Sequence, residues 1–97
     1  MSVLTPVSSD DPVRVFVTTE DIELGKRGDP DLCAFGRALS RAVGGTVVTR
    51  LYGSWVLDGP YAGTYGQHNA RIRNWITRYD AKEEVFPTMQ ALVLVPA

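Results

Sequence analysis

Cysteine and histidine occur once each in this sequence, so neither an internal disulfide nor a histidine cluster can form. A structural zinc site needs about four such ligands, which the chain does not have. Long apolar runs are missing too: no stretch approaches the roughly 18–20 residues of a helical membrane span. Neither sign of charge is in excess. Ten Lys and Arg oppose eleven Asp and Glu, a net of −1, which argues against a strongly polyanion-seeking surface or an acidic tail. The first ten residues lack a basic start followed by an apolar stretch, so no secretory signal is expected. The phosphate-loop pattern GxxxxGK[ST] and the dinucleotide fingerprint GxGxxG are both absent. Glu20, Asp21 and Glu23, and Glu83 with Glu84, lack the alternating oxygen-ligand spacing of a calcium loop and read as solvated faces. No cofactor and no metal are expected. A lone cysteine fits a reducing compartment, and the cytoplasm is the expected location.

What remains is a chain of 97 residues, 44% hydrophobic and 22% charged, the composition of one small globular domain. A chain of this length buries about 60–65% of its unfolded surface, enough to fold alone by a narrow margin. Charge is unevenly placed. Residues 1–31 hold seven acids and three bases; residues 32–79 hold six arginines against Asp58 alone; residues 80–97 hold three acids and Lys82. Eight of the ten bases are arginine, which a GC-rich genome explains as readily as a binding surface does.

Residues 1–12, rich in Ser, Asp and Pro, read as a flexible leader, and residues 13–97 as a single domain. Val13–Val17 reads as a strand with Val13, Val15 and Val17 on one face and Phe16 on a partly covered second face. Thr18 and Asp21 have the spacing of a capping box at the start of a short helix ending at Gly25. A longer helix is expected after Asp29 as cap and Pro30 at the first helical position. Its buried stripe is Leu32, Phe35, Leu39, Ala42 and Val43, its outer side carries Arg37 and Arg41, and Gly44-Gly45 stops it. Thr46–Tyr52 is a strand by composition. Either Gly53-Ser54 turns a hairpin into Trp55–Leu57, or Gly53 is a bulge in one long strand that turns at Asp58-Gly59-Pro60 into Tyr61–Gln67; the second is slightly preferred. Asn69 caps a third helix with the stripe Ile72, Trp75, Ile76 and Tyr79, and Met89–Val95 closes the chain as a strand. The order β-α-α-β-β-α-β implies an α+β domain with helices on one face of a mostly antiparallel four-stranded sheet.

Residues able to do chemistry are few. Cys33 near a helix start and His68 before the third helix are the ingredients of a thiol enzyme. Asp29 and Asp31 oppose a thiolate, however, and nothing local brings the two together, so both read as structural and no enzyme is expected. Gly63-Thr64-Tyr65-Gly66 matches a nucleic-acid-clamping GxxG tetrad but carries no base and does not join two helices. In Arg27-Gly28-Asp29 the aspartate already has a capping role. One constellation stays open: Tyr52, Trp55, Tyr61, Tyr65, His68, Arg71 and Arg73 fall within one short stretch. Such a mixture suits a protein-binding hot spot, or base stacking with phosphate contact, or simply a few rings in the core.

The stretch Thr18–Pro30, an acid-Ile segment and a short Gly-containing turn, is followed by Cys33-Ala34-Phe35-Gly36-Arg37-Ala38-Leu39. With Trp75–Asp80 and Phe86-Pro87, it resembles small proteins of actinobacteria and their bacteriophages, the mycobacteriophage-type accessory proteins. The likeness spans most of residues 13–95 through short motifs. Ala34 stands where such relatives carry proline after the cysteine, so no role transfers to Cys33. The resemblance implies a phage or actinobacterial origin, transfers no catalytic residue, and places the protein in the cytoplasm of the bacterial host. Together with the aromatic–arginine constellation it suggests a non-enzymatic accessory protein that binds a protein partner, a bacterial host protein among the candidates, with a nucleic-acid module as the alternative. No membrane partner is expected.

Overall fold

In the computed structural model, which describes residues 12–97, strand β1 (Val13–Val17) pairs antiparallel with β5 (Thr88–Leu92) as a two-stranded sheet. The expected leader, residues 1–12, lies outside the described residues except for Pro12. Alternation along β1 sends Val15 and Val17 inward, as expected. Phe16 is 57% exposed, so little of the second face is covered.

Helix α1 (Thr19–Leu24) has the expected capping box: Thr18 Oγ1 accepts from Asp21 N at 3.1 Å and Asp21 Oδ2 accepts from Thr18 N at 3.0 Å. A helix under two turns long is not stable alone. Asp21 ties it down, fully buried and gripped from helix α2 (Ala34–Val43) by Arg41 at 2.6 Å and Arg37 at 3.4 Å. The two arginines expected on the wet side of α2 are therefore structural.

The start of α2 corrects the sequence reading. Asp29 does accept from backbone N–H groups, those of Asp31 and Leu32, but it caps only a single turn, closed by Cys33 N donating to Asp29 O. Cys33 is extended (φ −70°, ψ 163°) and is itself the N-cap, its Sγ accepting from Gly36 N at 3.4 Å. Shifting the start past Leu32 leaves that side chain exposed. Ala42 is exposed too, and the buried stripe is Ala34, Phe35, Ala38, Leu39 and Val43. Gly44, left-handed at φ 69°, ends the helix as expected.

Strands β2 (Val47–Thr49), β3 (Gly53–Val56), β4 (Thr64–Gln67) and β6 (Leu94–Pro96) form an antiparallel four-stranded sheet in the order β2-β3-β4-β6. The preferred long strand through Gly53 does not form, nor does a turn at Gly53-Ser54. The chain turns earlier, at Arg50-Leu51-Tyr52, where Arg50 N donates to Gly53 O. The reason lies across the sheet: a Cβ at Gly53 would sit 2.3 Å from the Tyr65 ring, so Gly53 belongs in the strand, beneath an aromatic side chain. The expected closing strand is divided at Val93, its first half pairing with β1 and its second with β4.

Helix α3 (Ala70–Asp80) is capped by Asn69, whose Oδ1 accepts from Ile72 N at 2.9 Å; Ile72, Ile76 and Tyr79 are buried and Trp75 half-buried. Arg27 lies over the Tyr79 ring at 4.4 Å and donates to the Tyr79 carbonyl, which docks the 25–33 loop on α3. The α+β class and the antiparallel four-stranded sheet are as expected, with the β1–β5 pair as an additional sheet. One hydrophobic core joins both sheets and the helices through Val15, Phe35, Leu39, Val56, Ile72 and Leu94 among others. No helix among the described residues is long and apolar enough to cross a membrane.

Candidate binding surface

Because side chains alternate along each strand, the four-stranded sheet sorts its residues into two sets. Thr49, Ser54 and Val56 point inward and are buried; Val48, Trp55, Tyr65 and Val95 point outward.

His68 belongs to the inner set. Placed by sequence among the surface candidates, it is instead 1% exposed, packed edge-on to Phe35 at 5.2 Å between ring centres. Its Nδ1 lies 2.9 Å from the Leu51 carbonyl oxygen, which can only accept, so Nδ1 carries the proton. Nε2 then accepts from Ser54 Oγ at 2.8 Å, and Ser54 Oγ accepts from Thr49 Oγ1 at 2.9 Å. A directed chain of donors thus runs Thr49 to Ser54 to His68 to Leu51. Burial pushes the His68 pKa below its ordinary value, and the nearby Arg73 charge works the same way against the Leu51 hydrogen bond. Ser54 beside an imidazole has the look of an activated nucleophile, but its side chain is fully buried.

Cys33 makes no hydrogen bond to His68. Burial raises its pKa, and the charges of Asp80 and Asp29 raise it further against the Gly36 N–H contact, so the thiol is protonated at neutral pH.

The outer set is continuous. Val48 stands opposite Trp55, Trp55 opposite Tyr65, and Tyr65 opposite Val95, one residue per strand across the entire sheet. Trp55 and Tyr65 pack tilted at 4.8 Å, and Tyr65 lies over Gly53 with its Oη 3.4 Å from the Tyr52 carbonyl. Trp55 remains 37% exposed. At the turn beside this row Tyr52 is 67% exposed, with the Arg73 guanidinium 5.8 Å from its ring centre. Arg73 is held there by donating to the His68 carbonyl at 2.7 Å.

The structure therefore gathers Tyr52, Trp55, Tyr65 and Arg73 of the predicted constellation and disperses the rest. Tyr61 is half-buried against the core in the β3–β4 connection, and Arg71 lines a separate groove beside Trp75. Val48 and Val95 were not anticipated. Their signal is register, which links residues far apart in sequence only once strand pairing is known. Among the described residues no group of three or more His, Cys, Asp or Glu side chains is placed to hold a metal. Comparison with protein-family models, with curated proteins and with solved structures returned no match for this chain.

Proposed function

We propose that this chain is a small non-enzymatic accessory protein, of the phage type its sequence resembles, that docks a protein partner on the outer face of its four-stranded sheet. The carrying observation is the uninterrupted apolar row Val48–Trp55–Tyr65–Val95. Water-facing sheets ordinarily alternate apolar inside with polar outside, and here the exposed side carries the large rings. Strand spacing makes the row about 14 Å long. A specific interface covers about 800 Å² per partner, so the contact extends past the row onto exposed Leu51, Tyr52 and Leu57. Tyr and Trp held rigid by the sheet are the residue types that dominate binding energy. The sealing of Ser54 and His68 supports a role without catalysis, and the reading needs no cofactor. The host cytoplasm is the proposed setting.

A capture experiment from actinobacterial lysate tests it: native protein retains a specific partner that Trp55→Glu does not. Retention of the same proteins by both removes the reading. A second reading is favoured by one observation. Arg73 lies beside exposed Tyr52 and makes no ion pair among the described residues, an arrangement suited to single-stranded nucleic acid. That binding would weaken steeply with salt, and fluorescence anisotropy with single- and double-stranded DNA across a salt series decides it. Absence of binding at low salt eliminates the alternative.

A further inference from the structure

Away from the aromatic row, β5 has a second edge. Its only sheet partner is β1, and no other backbone–backbone hydrogen bond involves Thr88–Leu92 among the described residues. Exposed edges are normally protected by charge, proline or a bulge. The β5 segment Thr-Met-Gln-Ala-Leu contains none of the first two and pairs with β1 residue for residue without a bulge.

Beside β5 runs a groove of about 380 Å³. One wall is the α3 face Arg71, Asn74, Trp75 and Arg78, residues at i, i+3, i+4 and i+7; the other includes Thr88 and Gln90 of β5. Trp75 is fixed by donating from Nε1 to the Phe86 carbonyl at 3.0 Å. Arg71 has no acidic partner among the described residues, and Arg78 has only Glu83 at 3.4 Å in an exposed pair. Glu84 lies in the same lining, so the groove is basic along the helix and acidic at one spot.

From this juxtaposition we infer that β5 and α3 form a second docking site, taking an extended peptide of alternating acidic and apolar residues by strand addition to the free β5 edge. Backbone groups of the peptide pair with those of β5, as in other strand-addition complexes. Alternation then divides its side chains. Those on the groove side meet Arg71 and Arg78, about 10 Å apart along the helix. Carboxylates on alternate residues of a strand recur every ~7 Å, inside that span and within reach of two long guanidinium side chains. Side chains on the opposite side extend the outer face of the β1–β5 sheet, where Phe16 and Met89 stand paired and exposed. An acidic-apolar alternation satisfies both sides; a uniformly apolar or basic strand satisfies at most one.

The probe is an eight-residue peptide of alternating glutamate and valine, titrated into the isotopically labelled protein and followed by amide and indole NMR shifts. The amides of Thr88–Leu92 and the Trp75 indole should move. Arg71→Glu with Arg78→Glu, both exposed and outside the core, should weaken binding about tenfold or more at unchanged thermal stability. Replacing glutamate by lysine in the peptide should abolish it. N-methylation of alternate peptide amides should abolish binding in one register and spare it in the other, because only one set of N–H groups faces β5. Trp55→Glu should leave the titration unaltered, which separates this site from the aromatic row. Equal binding by both N-methylated peptides would mean charge attraction without strand addition and overturns the proposal, as would shifts confined to residues outside β5 and α3 or no shifts at all.

Discussion

Ser54 and Trp55 are neighbours in one strand and belong to opposite regions of the molecule. Ser54 faces inward among polar groups whose hydrogen bonds are complete, Thr49 on one side and His68 on the other. Trp55 faces outward in a row of rings and aliphatic side chains that stays partly open to solvent, although Tyr65 covers Gly53. The usual assignment of polar groups to water and apolar groups to the core is partly reversed across this sheet. The inner polar groups cannot be lost without leaving a partner unpaired in a dry interior. Losing an outer ring leaves no buried polar group unpaired, so its cost is limited to the packing it makes on the sheet. Asp21 extends the inner class: a carboxylate fully buried, tied to two arginines and to a helix cap.

Removing Asp21 is the harshest way to test the inner class. Asp21→Ala should cost about 2–3 kcal/mol in chemical denaturation, because it removes the ion pairs to the part-exposed Arg37 and Arg41 and opens the cap of α1. A loss under about 1 kcal/mol would make the grip of α2 on α1 incidental. Ser54→Ala should cost about 1–3 kcal/mol, since the Nε2 lone pair of His68 is left without a donor; Ser54→Thr, which keeps the hydroxyl, should recover part of it.

Acid should act on the same groups in two stages. The folded pKa of His68 lies below the ordinary 6.5, so the unfolded chain takes up a proton first as pH falls. Stability should therefore be level above about pH 7 and decline below about 6.5. For Asp21 burial alone would raise the pKa, but the Arg41 hydrogen bond, the Thr18 backbone contact and the Arg41 charge outweigh it, and the value falls from 3.8 to about 2. Its contribution is present above pH 4 and lost between about 4 and 2. Arg41 is half exposed and screened, so that contribution is at most about 2 kcal/mol. A denaturation series against pH should show both declines, with the upper one absent in a His68→Gln variant.

The smallest inner effect is expected at Cys33. Serine is among the best N-cap residues, and its hydroxyl would take over the Gly36 N–H, which offsets the cost of burying it. Cys33→Ser should shift stability by about 0.5 kcal/mol or less, and a thiol reagent should label the native protein slowly. Rapid labelling at neutral pH would contradict the protonated, buried thiol.

How far these regions were legible in the sequence follows from the range of the forces involved. The Thr18–Asp21 box and the Asn69 cap are decided within three residues, and both stand in the structure as read. Asp29 was the expected cap, whereas the observed one, Cys33, lies four residues further on. Local rules favour aspartate, but closing one turn at Asp29 moved the helix start onward to Cys33. Phe16 was expected to be partly covered because strand patterning cannot tell which faces find a second layer. His68 is buried because the turn at Arg50–Tyr52 brings the Leu51 carbonyl and Ser54 to its ring, a meeting that no local pattern encodes. Trp55 and Tyr65 were visible as candidates, but the row they form with Val48 and Val95 needed the register of three strand pairs.

The most direct test of the reversed sheet compares stability with partner retention in one variant, Trp55→Ser. Its stability should fall by no more than about 1.5 kcal/mol, the loss of its packing on Tyr65 and of strand propensity, while the partner captured from lysate is lost. A variant destabilised by 2 kcal/mol or more would place Trp55 among the structural residues, and full partner retention at native stability would leave the row without a role; either result contradicts the account.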